Sequence, residues 1–128
     1  MSESGAGPRV GLASPDLLLA SRVRTALGSL ASATLEVVDP AVPAAPWALL
    51  LIDLNRGAAR QLQWLRQLAP GEATRVICFG PHTELAALGP EARAAGADRC
   101  VANSHLAQAL ASWARHQGSA GSARGGGR

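Results

Sequence analysis

One carboxylate stands out because of the residues that precede it. Asp53 follows directly on the apolar run ALLLI at residues 48–52. An unbroken apolar run of this length is typical of a strand that is buried on both faces in a parallel sheet. Open α/β sheets carry their ligand sites at the carboxyl ends of such strands. Asp53 therefore lies where we expect a residue that does chemistry.

The basic residues exclude several kinds of chemistry. The chain has 12 basic residues, and all of them are arginines. Without lysine there can be no Schiff base, no P-loop lysine and no lysine-assisted phosphoryl transfer. The net charge of +3 and the pI of about 10.1 come from arginines scattered along the chain. Nucleic-acid binding needs a clustered basic face, so we expect a solvated surface and no direct nucleic-acid partner.

The remaining composition indicates a cytoplasmic domain without a cofactor. Cys78 and Cys100 lie in apolar contexts, which favours buried thiols in a reducing compartment over a disulfide or a metal pair. The histidines and cysteines show no metal-ligand spacing. No apolar run approaches the roughly 20 residues of a membrane helix, and the N-terminal MSESGAGPR lacks an apolar export region. We expect no metal, no cofactor and no membrane partner.

The elements that must position Asp53 alternate between strands and helices. With 128 residues and 48% hydrophobic side chains, one compact domain is expected. We predict a flexible leader at residues 1–8, a domain at residues 9–116 and a disordered Gly/Ser/Arg tail or linker at residues 117–128. The predicted strands are residues 9–13, 34–38, 47–52, 75–79 and 99–102, and the predicted helices are residues 14–30, 58–68, 83–95 and 104–116.

This alternation predicts an α/β fold with helices on both faces of a parallel sheet. Five strands in a chain of this length fit a flavodoxin-like, three-layer sandwich with strand order 2-1-3-4-5. Prolines at positions 40, 43 and 46 forbid a regular helix between strands 2 and 3. We therefore predict that this connection contains at most one helical turn or is an extended loop.

Local signals set the expected helix ends. Ser14 can cap the first helix, with Pro15 at its first position and Asp16 near its positive end. Thr83 and Ser104 are the predicted caps of the last two helices, and residues 89–90, Gly-Pro, are expected to interrupt the helix that contains them. The predicted apolar stripe of the first helix is Leu17, Leu18, Ala20, Val23, Leu27 and Leu30.

Three stretches in this order resemble a known family. They are RVGLASPDLLLASRVRTAL from residue 9, ALLLIDL from residue 48 and AGADRCVANS from residue 95. Together they resemble the first strand and helix, the phospho-acceptor strand, and the segment leading into the fifth strand of the receiver domains of bacterial response regulators. The resemblance covers residues 9–115 and implies the same flavodoxin-like fold.

The resemblance also implies a phosphorylation site, and this sequence departs from it. In an active receiver the third-strand aspartate accepts a phosphoryl group, two acidic residues hold Mg²⁺, a Thr or Ser contacts the phosphoryl group and a Lys pairs with it. Mg²⁺ and the ammonium offset the negative charge that the transfer brings together. Here only the aspartate is kept, which implies a degenerate member, a pseudo-receiver. The corresponding pocket positions are Ser14, Pro15, Asp16, Asp53, Gly80 and Asn103.

Asp53 itself leaves two interpretations open. In the first, it is a partly exposed carboxylate satisfied by backbone N–H groups or by an arginine such as Arg56. In the second, it is a residual phospho-acceptor for which Asp16 or a mobile arginine substitutes for the lost groups. A single carboxylate offers too few charged oxygen ligands to bind Mg²⁺ well, which favours the first interpretation.

The predicted function is a non-enzymatic protein–protein interaction module in bacterial signal transduction or gene regulation. The resemblance implies contact through the face of the fourth helix, fifth strand and fifth helix of the family, possible also between two copies as a homodimer. Trp113 is either an anchor of this face or a core residue. The alternatives are an atypical phospho-receiver that uses Asp53 and a small-ligand module that binds at the strand ends. The candidate interface residues are Arg99, Val101, Leu106, Leu110 and Trp113.

Overall fold

A computed structural model describes residues 8–30, 33–38, 47–71 and 73–126, which form a sheet between two helical layers. The strands are β1 (Arg9–Ala13), β2 (Thr34–Val37), β3 (Leu49–Asp53), β4 (Arg75–Gly80) and β5 (Arg99–Ala102). The helices are α1 (Leu17–Leu30), α2 (Ala58–Leu68), α3 (Leu85–Ala95) and α4 (Leu106–Gly126). All neighbouring strands are parallel and their order is β2-β1-β3-β4-β5. The predicted flavodoxin-like fold is confirmed.

β3 is the centre of this arrangement. Every residue of β3 is buried, as its unbroken apolar sequence predicts. Because side chains alternate along a strand, Leu49 and Leu51 point to one helical layer and Leu50 and Ile52 to the other. The carboxylate of Asp53 is thereby carried to the end of the most deeply buried strand.

Each side of the sheet has its own apolar cluster. On one side α1 and α4 cover the sheet, with Val23 and Leu27 from α1 and Leu110 from α4 all at most 2% exposed. On the other side α2 and α3 contribute Leu62, Leu65 and Ala92. The helical periodicity of these apolar residues therefore decides which face of each helix meets the sheet.

The predicted apolar stripe of α1 is wrong at its first turn. Leu17 and Leu18 are 74% and 72% exposed, whereas Leu19 packs partly against the core. The first turn of α1 lies beyond the carboxyl ends of the strands, so none of the described elements covers these two leucines. The stripe is confirmed from Ala20 through Leu27, and the side chain of Leu30 lies outside the described residues.

The predicted caps of α3 and α4 are also wrong. Thr83 and Ser104 lie inside 3-10 turns, at His82–Glu84 and Asn103–His105, that precede the two helices. The expected break in α3 does not occur either, because the helix runs through Pro90. Proline has no backbone N–H, so one carbonyl group of the preceding turn lacks its helical partner. Because Pro90 is exposed, water can bond to that carbonyl group instead.

The indole of Trp47 covers β1 on the side of α2 and α3. Trp47 is 7% exposed, and its carbonyl oxygen accepts a hydrogen bond from Thr74 Oγ1 at 2.7 Å. A Cβ atom on Gly11 would lie 2.9 Å from Trp47 Cε2 and 2.8 Å from Val38 Cγ2, so only glycine fits beneath this ring. The element order passes from β2 to β3 without a helix, although the predicted loop at residues 39–46 lies outside the described residues.

The predicted leader and tail can be compared with the structure only where residues are described. Residues 1–7 of the predicted leader lie outside the described residues. α4 runs to Gly126, beyond residue 116 where the predicted domain ends. Disorder of the segment at residues 117–128 stays a prediction.

The described residues contain neither a membrane helix nor a metal cluster. No helix among them has both the length and the apolar character that crossing a bilayer requires. Nor do three or more His, Cys, Asp or Glu side chains of that part of the chain converge on a possible metal position. Cys78 and Cys100 are free thiols on adjacent strands, and Cys78 is completely buried.

The close contact between Trp47 and Gly11 predicts that alanine at position 11 lowers the stability of the protein. Gly11→Ala should lower the free energy of unfolding by about 1–3 kcal/mol, because the new methyl group overpacks the space beneath the indole. Gly28→Ala is the matched control: in the interior of α1 its Cβ meets nothing within 4 Å, so a gain of about 0.5–1 kcal/mol is expected. Urea unfolding measures both, and equal effects would contradict this packing.

Burial of Cys78 predicts a loss of stability at alkaline pH. Burial, with a smaller contribution from Cys100, raises the pKa of the Cys78 thiol from 9.0 to about 12. The unfolded thiol ionises first, so the free energy of unfolding falls as the pH rises from about 9 to 12, by up to about 1.4 kcal/mol per pH unit. The chain contains neither lysine nor tyrosine to titrate there. Urea unfolding across this range should show a steeper fall for the wild type than for Cys78→Ala.

Candidate functional site

The site lies where the carboxyl ends of the parallel strands meet at one edge of the sheet. Ser14 follows β1, Asp53 ends β3, Gly80 ends β4 and Asn103 follows β5. The order β2-β1-β3-β4-β5 puts β3 between β1 and β4, so Asp53 is central among these positions. The topology thus brings Ser14, Asp53, Gly80 and Asn103 to one edge of the sheet.

Asp53 is buried and accepts three hydrogen bonds. Only 4% of the residue is exposed. Its Oδ2 accepts a 2.6 Å hydrogen bond from Ser14 Oγ. Its Oδ1 accepts two bonds from Asn55, one from the backbone N–H at 2.8 Å and one from Nδ2 at 2.7 Å. Both carboxylate oxygens are therefore held by neutral donors.

A reciprocal amide pair extends the network across the site. Asn55 Nδ2 donates to Asn103 Oδ1 at 3.0 Å, and Asn103 Nδ2 donates to Asn55 Oδ1 at 2.8 Å. Asn103 thus contacts Asn55 and reaches the carboxylate only through it. The resemblance implies a lysine ammonium at the position of Asn103, and the structure has a neutral amide there.

Gln61 of α2 connects the carboxyl ends of β1 and β3. Its Nε2 donates to the carbonyl oxygen of Ala13 at 2.8 Å and to that of Asp53 at 3.1 Å. These carbonyl groups end β1 and β3, so one side chain of α2 ties the two strands together. This contact helps to set the distance at which Ser14 meets Asp53.

Asp16 caps the start of α1, which corrects the predicted cap. Asp16 Oδ1 accepts hydrogen bonds from the backbone N–H groups of Leu18 and Leu19 at 3.0 and 3.2 Å. The cap is therefore Asp16, and α1 begins at the next residue, Leu17. Ser14 Oγ instead accepts the N–H of Asp16 at 3.0 Å, which leaves its own proton for Asp53. Pro15, between them, is exposed.

Gly80 leaves a space that a larger residue could fill. A Cβ atom there would lie 3.4 Å from Leu54 Cβ and 3.7 Å from its carbonyl carbon. These are near-ordinary van der Waals contacts, so the backbone at Gly80 does not require glycine. The absence of the hydroxyl group that the resemblance implies at this position is therefore not forced by packing.

The surroundings of Asp53 correct the first interpretation in one respect: the carboxylate is buried instead of partly exposed. Of the two kinds of donor that it named, a backbone N–H group is present, that of Asn55. Among the described residues no arginine forms an ion pair with Asp53, and Arg56 lines the adjacent groove. Ser14 in the loop after β1 and Asn55 in the loop after β3 supply the remaining donors.

These contacts limit what the site can do chemically. A phosphoryl group moving onto Asp53 needs a free carboxylate oxygen, a divalent cation and a fixed positive charge. Here the oxygens carry three hydrogen bonds, and the Oδ1 of Asp16, the other acidic residue among the predicted pocket positions, caps a helix. The described contacts therefore stabilise an unmodified carboxylate.

A groove of about 880 Å³ opens beside this network. It runs between α1 and α4, with Phe79 and Leu110 in its apolar part and the exposed Leu17 and Leu18 at its rim. Asp53 lies at one end of the groove. This is the rim at which the sequence placed the alternative of a small-ligand site.

Three of the five predicted interface residues belong to the core. Leu106, Leu110 and Trp113 are 7%, 1% and 7% exposed and pack in the cluster beneath α1 and α4. The apolar face of α4 turns toward the sheet, so Trp113 takes the core role that the sequence left open. Arg99 is exposed and Val101 is half-buried, so these two remain accessible to a partner.

Asn55 is the site residue that sequence reasoning missed. Asn55 lies two residues after Asp53, between the predicted third strand and the predicted second helix. That spacing is typical of an Asx turn. In this turn the aspartate side chain accepts the backbone N–H two residues on. The side chain of Asn55 then reaches Asn103, a contact between residues far apart in the chain that no local pattern indicates.

Known structures share this fold at low sequence identity. A CheY-like protein (tadZ) from Pseudomonas aeruginosa PAO1 matches with a TM-score of 0.69 and 17% identity, over 88% of this chain and 94% of that one. A response regulator receiver protein from Burkholderia phymatum gives 0.65 and 19%, over 85% and 96%. The pilus assembly protein CpaE from Caulobacter crescentus CB15 gives 0.60 and 19%, over 82% and 92%. The chain therefore has the fold of receiver domains.

The other two comparisons give no match: no protein-family model and no curated protein is similar enough in sequence.

The hydrogen bond between Ser14 and Asp53 predicts a stability effect. Ser14→Ala should lower the free energy of unfolding by about 1.5–3 kcal/mol, because a buried carboxylate loses one of its three donors. Ser104→Ala is the control, since Ser104 is exposed and should change stability by less than about 0.5 kcal/mol. Urea unfolding compares the two variants, and similar values would show that this hydrogen bond contributes nothing.

Proposed function

We propose that this chain is a phosphorylation-independent pseudo-receiver, a protein–protein interaction module in bacterial signal transduction or gene regulation. The proposal combines the receiver fold with a site that lacks the groups of phosphoryl transfer. In this role the strand ends hold a fixed structure, and the surface of the domain carries the function. We expect no catalytic activity.

The state of Asp53 is the observation that supports this proposal. Its two oxygens accept bonds from Ser14 and Asn55, all of them neutral donors. A receiver that exchanges a phosphoryl group needs the same oxygens free and a cation beside them. The hydrogen-bonded arrangement keeps the carboxylate satisfied without either requirement.

The proposed contact surface is the face formed by α3, β5 and α4. Arg99 and Val101 are its accessible members among the predicted interface residues. Because Leu106, Leu110 and Trp113 pack in the core, we propose that partners contact this face through the strand edge and the polar side of α4. A homodimer through the same face stays a prediction.

The similar structures widen the setting in which such a module could act. One comes from a protein named for pilus assembly, and another from a response regulator receiver protein. The proposed role is therefore that of a partner-binding domain in either kind of system, and it does not depend on a DNA-binding output.

Treatment with a small phosphodonor tests the proposal. With acetyl phosphate and Mg²⁺ present, we expect the intact mass of the protein to stay unchanged. Both oxygens of Asp53 are engaged by Ser14 or Asn55, and no cluster of three metal-ligating side chains lies among the described residues. A phosphorylatable receiver domain in the same reaction is the positive control. A gain of one phosphoryl group that Asp53→Asn abolishes would establish the alternative, an atypical phospho-receiver.

A further inference from the structure

The outer edge of β5 is open and forms the floor of a groove. β5 ends the sheet order, so it pairs with β4 on one side alone. Its four residues, Arg99–Ala102, all line a groove of about 620 Å³. Leu85 at the start of α3 borders the groove on one side, and residues of α4 border it on the other. The groove therefore follows the strand.

The backbone of β5 directs specific groups into this groove. Val76 of β4 faces β5, because its carbonyl oxygen accepts the N–H of Asp98 at 2.9 Å. Successive residues of a strand turn their backbone groups to opposite sides, so Cys78, which is paired with Cys100, also faces β5. In a parallel ladder a residue bonds to the two neighbours of its partner. Arg99 and Val101 therefore face β4, whereas the backbone groups of Cys100 and Ala102 point to the open side. An edge of this kind is a template for another strand.

The side chains around the groove are basic or neutral. Arg99, His105 and Arg115 line it, and none of its lining residues is acidic. Arg93 lies close enough to Cys100 to oppose the rise that burial causes in the pKa of this thiol. The groove therefore attracts negative charge.

We propose that the β5 edge binds an extended acidic segment of a partner protein, which adds to the sheet as a sixth strand. This inference rests on the proposed function and specifies the partner that its contact face accepts. Backbone hydrogen bonds to Cys100 and Ala102 supply register, and carboxylates facing Arg99 and Arg115 supply charge complementarity.

The two walls of the groove specify an alternating sequence. Side chains on one face of an added strand meet Arg99 and the basic and polar residues of α4, and those on the other face meet Leu85 of α3. An acidic residue at every second position, with apolar residues between them, fits both walls. A stretch as long as β5 spans about 13 Å at roughly 3.3 Å per residue.

The same charges disfavour a second copy of this chain as the occupant. A two-fold pairing of β5 edges would bring Arg99 and His105 of one copy toward those of the other. Like charges facing each other across strands are destabilising. An acidic strand removes this repulsion.

The test uses the full chain labelled with ¹⁵N and a capped peptide of about eight residues that alternates valine and glutamate. Binding should slow the hydrogen exchange of the Cys100 and Ala102 amides about tenfold at a peptide concentration about ten times its Kd. The amide of Val101, directed to β4, should change little. The matching valine–lysine peptide should not bind.

Two variants test the two parts of the proposal. Arg99→Glu should weaken peptide binding at least tenfold, whereas the matched control Arg24→Glu, on an exposed position of α1, should leave it unchanged. Cys100→Pro removes an outward N–H group that the ladder with β4 does not use, so the protein should fold and lose the peptide. Circular dichroism checks that each variant is folded.

Each contrary result overturns the inference. The contrary results are no binding up to millimolar peptide, equal binding of the lysine peptide, protection of amides outside β5, or a β5-mediated dimer that excludes the peptide. The peptide experiment measures binding at the β5 edge, whereas the phosphodonor experiment measures phosphorylation of Asp53. Failure of one therefore does not imply failure of the other.

Discussion

Burial of both faces of β3 is the constraint on which this fold depends. A strand with no polar face must have helices or their equivalent above and below it. α1 and α4 cover one side completely, while α2 and α3 cover the other side over β3 to β5. Over β1 the indole of Trp47 provides the cover. The domain thus closes its core with one aromatic ring at a place where the described chain has no helix.

The site at the end of β3 shows how neutral donors can hold a charged group at the end of a buried strand. Ser14 and Asn55 satisfy the carboxylate of Asp53 with neutral donors. Removing the carboxylate would take away the acceptor that positions Ser14 Oγ and closes the turn at Asn55. The aspartate therefore has a structural reason to be present, independent of any phosphoryl group.

The sequence predicted the parts of this structure that local patterns determine. Unbroken or alternating apolar runs located all five strands, and the limits of β1, α2 and β5 agree with the predicted ones. The starts of α1, α3 and α4 were predicted too early, because Asp16 and not Ser14 caps α1 and because 3-10 turns precede α3 and α4. The contact of Asn55 with Asn103 joins residues distant in sequence, so only the folded topology could reveal it.

The fit of Trp47 over Gly11 also constrains how this chain can change during evolution. A side chain at position 11 competes for space with the indole of Trp47 and with Val38, so a larger residue there costs stability while both remain. A descendant that loses the tryptophan must find other cover for β1. Substitutions at these places are therefore coupled, and positions 11, 38 and 47 should covary.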